Sequence, residues 1–191
     1  MEQVLVVSSS KKGCETLTEL LKKQSFKSII VTNSGSQARR TLQEASFDLL
    51  VINAPLSDEL GYELALMAVE TTNTGVLLLV KNDLADEARA RVEDFGVFVV
   101  TKPLSPEFFY QALKLVQASR RRLIGLKEEN TVLQKQIQDI RLVNRAKCVL
   151  IQYLSMTEPQ AHKYIERQAM DQRASKSEVA QGILRTYESE G

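Results

Sequence analysis

The sequence has no tryptophan, a single histidine, His162, and only two cysteines, Cys14 and Cys148, which stand far apart and outside any paired spacing. Such a chain has almost no material for a histidine-based metal site or a Ser-His-Asp arrangement, and the two thiols read as reduced and idle. No stretch approaches the roughly 18 apolar residues of a membrane span. The start, MEQVLVVSSS, lacks the basic region, apolar run and small-residue cleavage site of a secretory signal. The expectation is a cytoplasmic protein with no membrane partner. A glycine-rich phosphate loop and a placed carboxylate pair are also missing, so no enzyme class finds a site here and no cofactor or metal is expected.

What is present is an ordinary globular composition, 43% hydrophobic and 26% charged over 191 residues, enough for one domain and an appendage. Net charge is +1 but unevenly spread. Residues 1–105 carry 11 Lys/Arg against 14 Asp/Glu, residues 106–140 carry 6 against 4, and residues 141–191 carry 8 against 6. The C-terminal half is the positive end, which by itself favours a nucleic-acid partner only weakly.

Five short apolar runs, at 4–7, 28–31, 48–52, 75–80 and 96–100, read as buried strands separated by helix-length stretches. Continuous rather than alternating hydrophobicity suits strands covered on both faces, so the fold class is α/β, a doubly wound five-stranded parallel sheet. Leu17, Leu20 and Leu21 mark one covering helix, and Leu64, Met67 and Ala68 another.

Ser105-Pro106-Glu107 then reads as a helix start, and nothing but Gly125 interrupts the pattern until Thr157. The helix is expected to run some 35 residues out of the first domain, well beyond the usual ~10–14, and so needs a partner. Phe109, Ala112, Val116, Leu123, Leu126, Leu133, Ile137 and Ile140 fall in 3-4 spacing, with Ser119 and Asn130 in the gaps. With Leu123 at heptad position a, the seam continues with Leu126 at d, Asn130 at a, Leu133 at d, Ile137 at a and Ile140 at d. A single asparagine at a favours a parallel two-stranded coil, so a homodimer is expected. Arg122 at g opposite Lys127 at e gives that pairing less support.

From about residue 141 three short helices are expected, at 141–154, 158–172 and 176–188. Thr157-Glu158-Pro159-Gln160 and Ser175-Lys176-Ser177-Glu178 supply two capping boxes. Val149, Leu150, Leu154, Ala161, Ile165, Ala169, Met170, Val179, Ile183 and Leu184 can close one small core. Arg141 and Arg145 share a face at i, i+4, and Lys163 and Arg167 repeat that spacing on the next helix. With Lys147, Arg173 and Lys176 they make a basic cluster suited to phosphates, while His162 or Tyr164 could stack on a base.

The first 118 residues resemble the receiver domain of two-component response regulators. VLVV ends at the sheet edge where ligands lie in such folds, DLLVINAPLSDELGYEL matches the phosphoacceptor strand and loop, and VTKPLSPEFF the Lys-Pro pair. The resemblance places the acidic pair at Ser8 and Ser9, the phosphoacceptor at Asn53, the hydroxyl position at Val80 and the switch aromatic at Val99. Only Lys102 survives, followed by Pro103, whose peptide bond the resemblance implies to be cis. Serines and an amide do not hold Mg²⁺ as carboxylates do, and an amide is a poor nucleophile for acyl-phosphate formation, so the expectation is a phosphorylation-incompetent pseudo-receiver. Asp58 and Glu59 are expected to point to solvent.

The C-terminal segments RAKCVLI, MTEPQAHKYIERQAMDQRA and SEVAQGIL resemble the ANTAR domain of antiterminator regulators, with Cys148 where that family usually has glycine. The resemblance implies binding to RNA stem-loops with six-base loops, two in tandem in a leader transcript. Three parts follow: a pseudo-receiver at 1–118, a coiled-coil helix at 119–143 and an all-α three-helix RNA-binding domain at 144–191. A regulatory protein on the receiver surface is a further expected partner. The competing reading is a protein-interaction scaffold built on the pseudo-receiver and the coil.

Overall fold

The computed structural model describes residues 3–24, 26 and 28–188. The chain divides into two compact units, Met1–Gly125 and Leu126–Gly191.

In the first unit, β1 (Gln3–Ser8), β2 (Ser28–Thr32), β3 (Leu49–Asn53), β4 (Gly75–Lys81) and β5 (Phe98–Lys102) form one all-parallel sheet in the order β2-β1-β3-β4-β5. The helices α1 (Lys11–Lys22), α2 (Gly35–Glu44), α3 (Tyr62–Thr71) and α4 (Ala85–Val92) connect them. This is the doubly wound strand order whose ligand crevice opens between β1 and β3. Alternate residues of each strand feed opposite faces. Leu5, Val7, Leu50, Ile52, Leu78 and Val80 pack with α2, α3 and α4 residues, whereas Val4, Val6, Leu49, Val51, Leu77 and Leu79 pack with Leu17, Leu20 and Leu21 of α1. Each such side chain stabilises the fold by roughly 1.5–3 kcal/mol when fully buried.

Two expectations about the strands are corrected. The strand at β2 is not fully buried: it is a sheet edge, leaving Ile30 and Val31 39% and 43% exposed. The last strand starts at Phe98 rather than Gly96, because Gly96 adopts a positive φ of 85° and turns the chain first.

Helix α5 runs unbroken from Pro106 to Leu154, so the first of the three expected C-terminal helices is its last turns rather than a separate element. Its start is held by Ser105, whose carbonyl accepts from the Phe109 N–H at 2.9 Å. The apolar seam of α5 has more than one fate. Phe109, Ala112 and Val116 are not part of an open seam: they are buried against the sheet's second face, where Gly75 leaves room for Val116. Leu123, Leu126, Leu133, Ile137 and Ile140 are 51–61% exposed, and Asn130 is exposed among them.

The second unit closes α5's last turns against α6 (Glu158–Gln172) and α7 (Lys176–Glu188). Both capping turns form: the Gln160 side chain accepts from the Thr157 N–H at 2.8 Å, and Glu178 from the Ser175 N–H at 2.7 Å. The core comprises Ala146, Val149, Leu150, Ala161, Ile165, Ala169, Val179, Ala180, Ile183 and Leu184. Leu154 and Met170 do not join it, being 43% and 79% exposed. Met170 lies one residue, about 100° of helix turn, off the Ala161-Ile165-Ala169 face, and Leu154 ends its helix.

Candidate functional site

At the C-terminal edge of the sheet, β1, β3 and β5 bring Ser8, Asn53 and Lys102 together. The Asn53 amide nitrogen donates to Ser8 Oγ at 2.8 Å, and Lys102 Nζ donates to Asn53 Oδ1 at 2.8 Å and to the Ala54 carbonyl. Ser8, 1% exposed, passes the chain on to the Ser10 carbonyl at 3.2 Å. Burial pushes the Lys102 ammonium below the usual lysine range, with Lys81 adding repulsion. Gly13 makes this packing possible, since a Cβ there would fall 2.4 Å from the Asn53 amide nitrogen.

Ser9 and Val80 stand outside this chain of bonds. Ser9 Oγ donates to the Pro55 carbonyl at 3.0 Å, and Val80 is wholly buried in the core. The receiver family's Mg²⁺ does not fit the group: the oxygens are hydroxyl and amide, they are satisfied by one another, and an ammonium already lies among them. The peptide bonds before Pro55 and Pro103 are both cis. Beside the cluster an open depression of about 350 Å³ is lined by Lys12, Thr16, Leu17, Leu79 and Leu104.

Asp58 is exposed, as expected from the sequence, whereas Glu59 is half-buried, and both also fasten the β3–α3 loop to α2. Asp58 accepts from the backbone N–H groups of Gly35 at 2.8 Å and Ser36 at 3.0 Å, and from the Ser36 hydroxyl at 2.8 Å. These bonds, Ser36's backbone N–H first, hold its carboxyl down at about 2. Glu59 takes both guanidinium nitrogens of Arg39 at 2.8 and 2.9 Å. A helix start rich in unsatisfied N–H groups attracts such a carboxylate.

In the second unit, Lys147, His162 and Lys176 converge on one hollow of about 370 Å³ between α5, α6 and α7. Each meets a carboxylate. Lys147 Nζ lies 2.7 Å from Glu158 Oε1, Lys176 Nζ 2.6 Å from Glu166 Oε1, and His162 Nε2 3.3 Å from that same oxygen. Both glutamates are accordingly held below the usual carboxylate range, chiefly by the lysine each one accepts from. Arg141, Arg145, Lys163, Arg167 and Arg173 are exposed and do not line the hollow. Arg167 Nε stands 3.8 Å from Asp171, and Arg173 ends α6 with a positive φ of 52°. Tyr164 is 38% exposed, outside the buried core.

Residues 131–184 match the ANTAR domain. The chain carries a receiver fold followed by an ANTAR domain. The transcriptional regulatory protein PdtaR of Mycobacterium tuberculosis is 27% identical over 174 residues, covering 89% of this chain and 83% of that protein. The aliphatic amidase regulator of Pseudomonas aeruginosa is 28% identical over 120 residues, 63% of this chain and 61% of its own. The non-phosphorylated HemR receiver domain from Leptospira biflexa is 27% identical with a TM-score of 0.54, covering 61% of this chain and 94% of that domain. A signal receiver domain of an HD domain-containing protein from Pseudomonas fluorescens superposes with a TM-score of 0.58 at 20% identity, covering 65% and 92%. Both of these curated relatives are regulators. Among the described residues no helix is long and apolar enough to cross a membrane.

Four residues of the ANTAR unit escaped the sequence reading. Glu158 and Glu166 hold the lysines of the hollow, and Asp139 and Asn144 line it. Glu166 carried a signal, standing four residues after His162 on one helix. The 11-residue separation of Lys147 and Glu158 spans a turn and carried none.

Proposed function

We propose that the chain is a transcription antitermination regulator that binds tandem RNA stem-loops in leader transcripts as a dimer, without catalysis and without phosphorylation of its own receiver. The observation that carries this reading is the ANTAR match over residues 131–184, which falls on the unit with the basic cluster. Arg141, Arg145, Lys163, Arg167 and Arg173 neutralise phosphates, with Lys147, His162 and Lys176 at the hollow. RNA loops suit such a surface because their unstacked bases expose edges.

The exposed seam Leu123, Leu126, Asn130, Leu133, Ile137 and Ile140 is the dimer contact, and two joined ANTAR units engage two hairpins with avidity. Replacing Leu133 and Ile137 by aspartate then leaves a species of 21.5 kDa in solution. With Ser8, Ser9, Asn53 and Val80 in place of the reactive set, acetyl phosphate with Mg²⁺ yields no adduct. Control passes instead through a protein bound to the receiver surface or through expression level.

The deciding test is a filter-binding titration of wild type, Lys147→Ala and Arg173→Ala against a tandem six-base-loop RNA, with a scrambled-loop RNA as control. Wild type binds the first more tightly and both variants bind it more weakly. Equal affinity of wild type for the two RNAs sinks the antitermination reading.

A further inference from the structure

The hollow of the ANTAR unit combines features that a phosphate site does not need. From α5, Asp139, Ile140, Val143, Asn144 and Lys147 line it, spaced so that they share one helical face. His162 from α6 and Lys176 and Ser177 from the first turn of α7 complete it. Ile140 and Val143 give apolar walls, His162 a flat ring, and Asp139, Asn144 and Ser177 an acceptor, an amide and a hydroxyl. Charge decides what such a hollow takes. Its two lysines face three carboxylates, Asp139, Glu158 and Glu166, and each ammonium is already bonded to one of the glutamates. A site of that balance does not attract a polyanion's backbone.

We infer that this hollow receives one unstacked base of an RNA loop and reads its edge, while the exposed cations outside it hold the backbone. The inference rests on the RNA-binding reading and deepens it. About 370 Å³ is at the small end of ligand pockets and admits a single nucleotide, not a helix or a peptide. Apolar walls and a flat ring suit a base plane. The mixture of acceptor-only Asp139 with donor and acceptor groups of Asn144 and Ser177 suits a base edge, which always carries both. The division of labour matches the general one, phosphate contacts positioning and base contacts specifying. Arg141 stands next to Ile140 and Lys163 next to His162 in sequence, both exposed, so backbone contacts adjoin the hollow's own residues.

The test uses the full chain and a pool of hairpins with one common stem and every sequence in a six-base loop. Bound and unbound RNAs are sequenced for wild type, Asp139→Asn, Asn144→Ala and Lys163→Ala. All three altered groups lie outside the buried core, and thermal melting of helicity checks each fold. Wild type enriches one base at a particular loop position, and Asp139→Asn and Asn144→Ala each flatten that single preference about tenfold or more. Lys163→Ala weakens the whole pool evenly. Unchanged loop profiles in both hollow variants, or an even loss across the pool in both, overturn the base-reading assignment while leaving RNA binding intact. A wild type that enriches no loop at all overturns the RNA reading and this inference with it.

Discussion

At the sheet edge, Asn53 gives its amide hydrogen to Ser8 and its carbonyl to Lys102, and each of these atoms is satisfied within the fold. In the helical unit, Lys147 and Lys176 are paired at equally short distances, but with Glu158 and Glu166, which border water. Both clusters hold a lysine and the distances are nearly equal, so distance does not separate the two clusters. Enclosure does. An enclosed network that loses a member leaves a buried polar atom unmade, whereas an exposed ion pair contributes only about 0–1 kcal/mol and exchanges its partner readily. The first cluster is therefore architecture and the second is available to a ligand.

The comparison can be broken first at Asn53. Asn53→Ala removes two hydrogen bonds, to the Ser8 hydroxyl and from the Lys102 ammonium, which keep only the Ser10 and Ala54 carbonyls, so urea unfolding should show a loss of about 1–3 kcal/mol with RNA affinity unchanged. A stable variant with altered RNA binding would reverse the assignment of the two clusters. Arg173→Gly sharpens the contrast because its two effects have opposite signs. Glycine relieves the left-handed conformation at φ 52° and should raise stability by about 1 kcal/mol. The same change removes a cation, so RNA affinity should fall and its log-log salt slope flatten by nearly one unit.

Glu166→Gln frees Lys176 and removes a negative charge beside the hollow. The unfolding midpoint should stay in place while RNA affinity rises and its salt dependence steepens; a weaker RNA complex would mean that the carboxylate itself contacts the ligand. The smallest effect is expected at Asp58, an exposed group. Its carboxyl is held at about 2 in the fold, below the ~4 of a free aspartate. The stabilisation is thus complete above pH ~4 and disappears as pH falls toward 2. Thermal midpoints measured from pH 5 to pH 2 should fall less steeply in Asp58→Asn than in wild type.

The sheet was legible because each strand is a run of aliphatic residues bounded by turns, a pattern that depends on neighbours in sequence. The capping turns at Thr157 and Ser175 were legible for the same reason, being complete within four residues. The edge position of β2 was not, since Ile30 and Val31 look like core residues until the strand order is known. Nor was the destiny of the α5 seam. Phe109 and Ile137 continue one 3-4 pattern, yet the first is buried against a sheet face and the second is half exposed. The bonds of Asp58 were not legible either, because its partners lie 22 and 23 residues earlier in the chain and are brought within reach only by the parallel sheet.

That carboxylate has a further consequence for how this unit opens. The β3–α3 loop is joined to its surroundings by Ser9 at the Pro55 carbonyl, Ser57 at the Asn33 carbonyl, Asp58 at the start of α2 and Glu59 at Arg39. A loop with so many anchors on separate elements has no cheap local fluctuation, because releasing one leaves the others in place. Its amides, and those of Gly35 and Ser36, are therefore expected to open together with β1 and α2 as one cooperative unit. Hydrogen exchange there should follow the opening of the whole sheet edge rather than the fraying of an exposed loop.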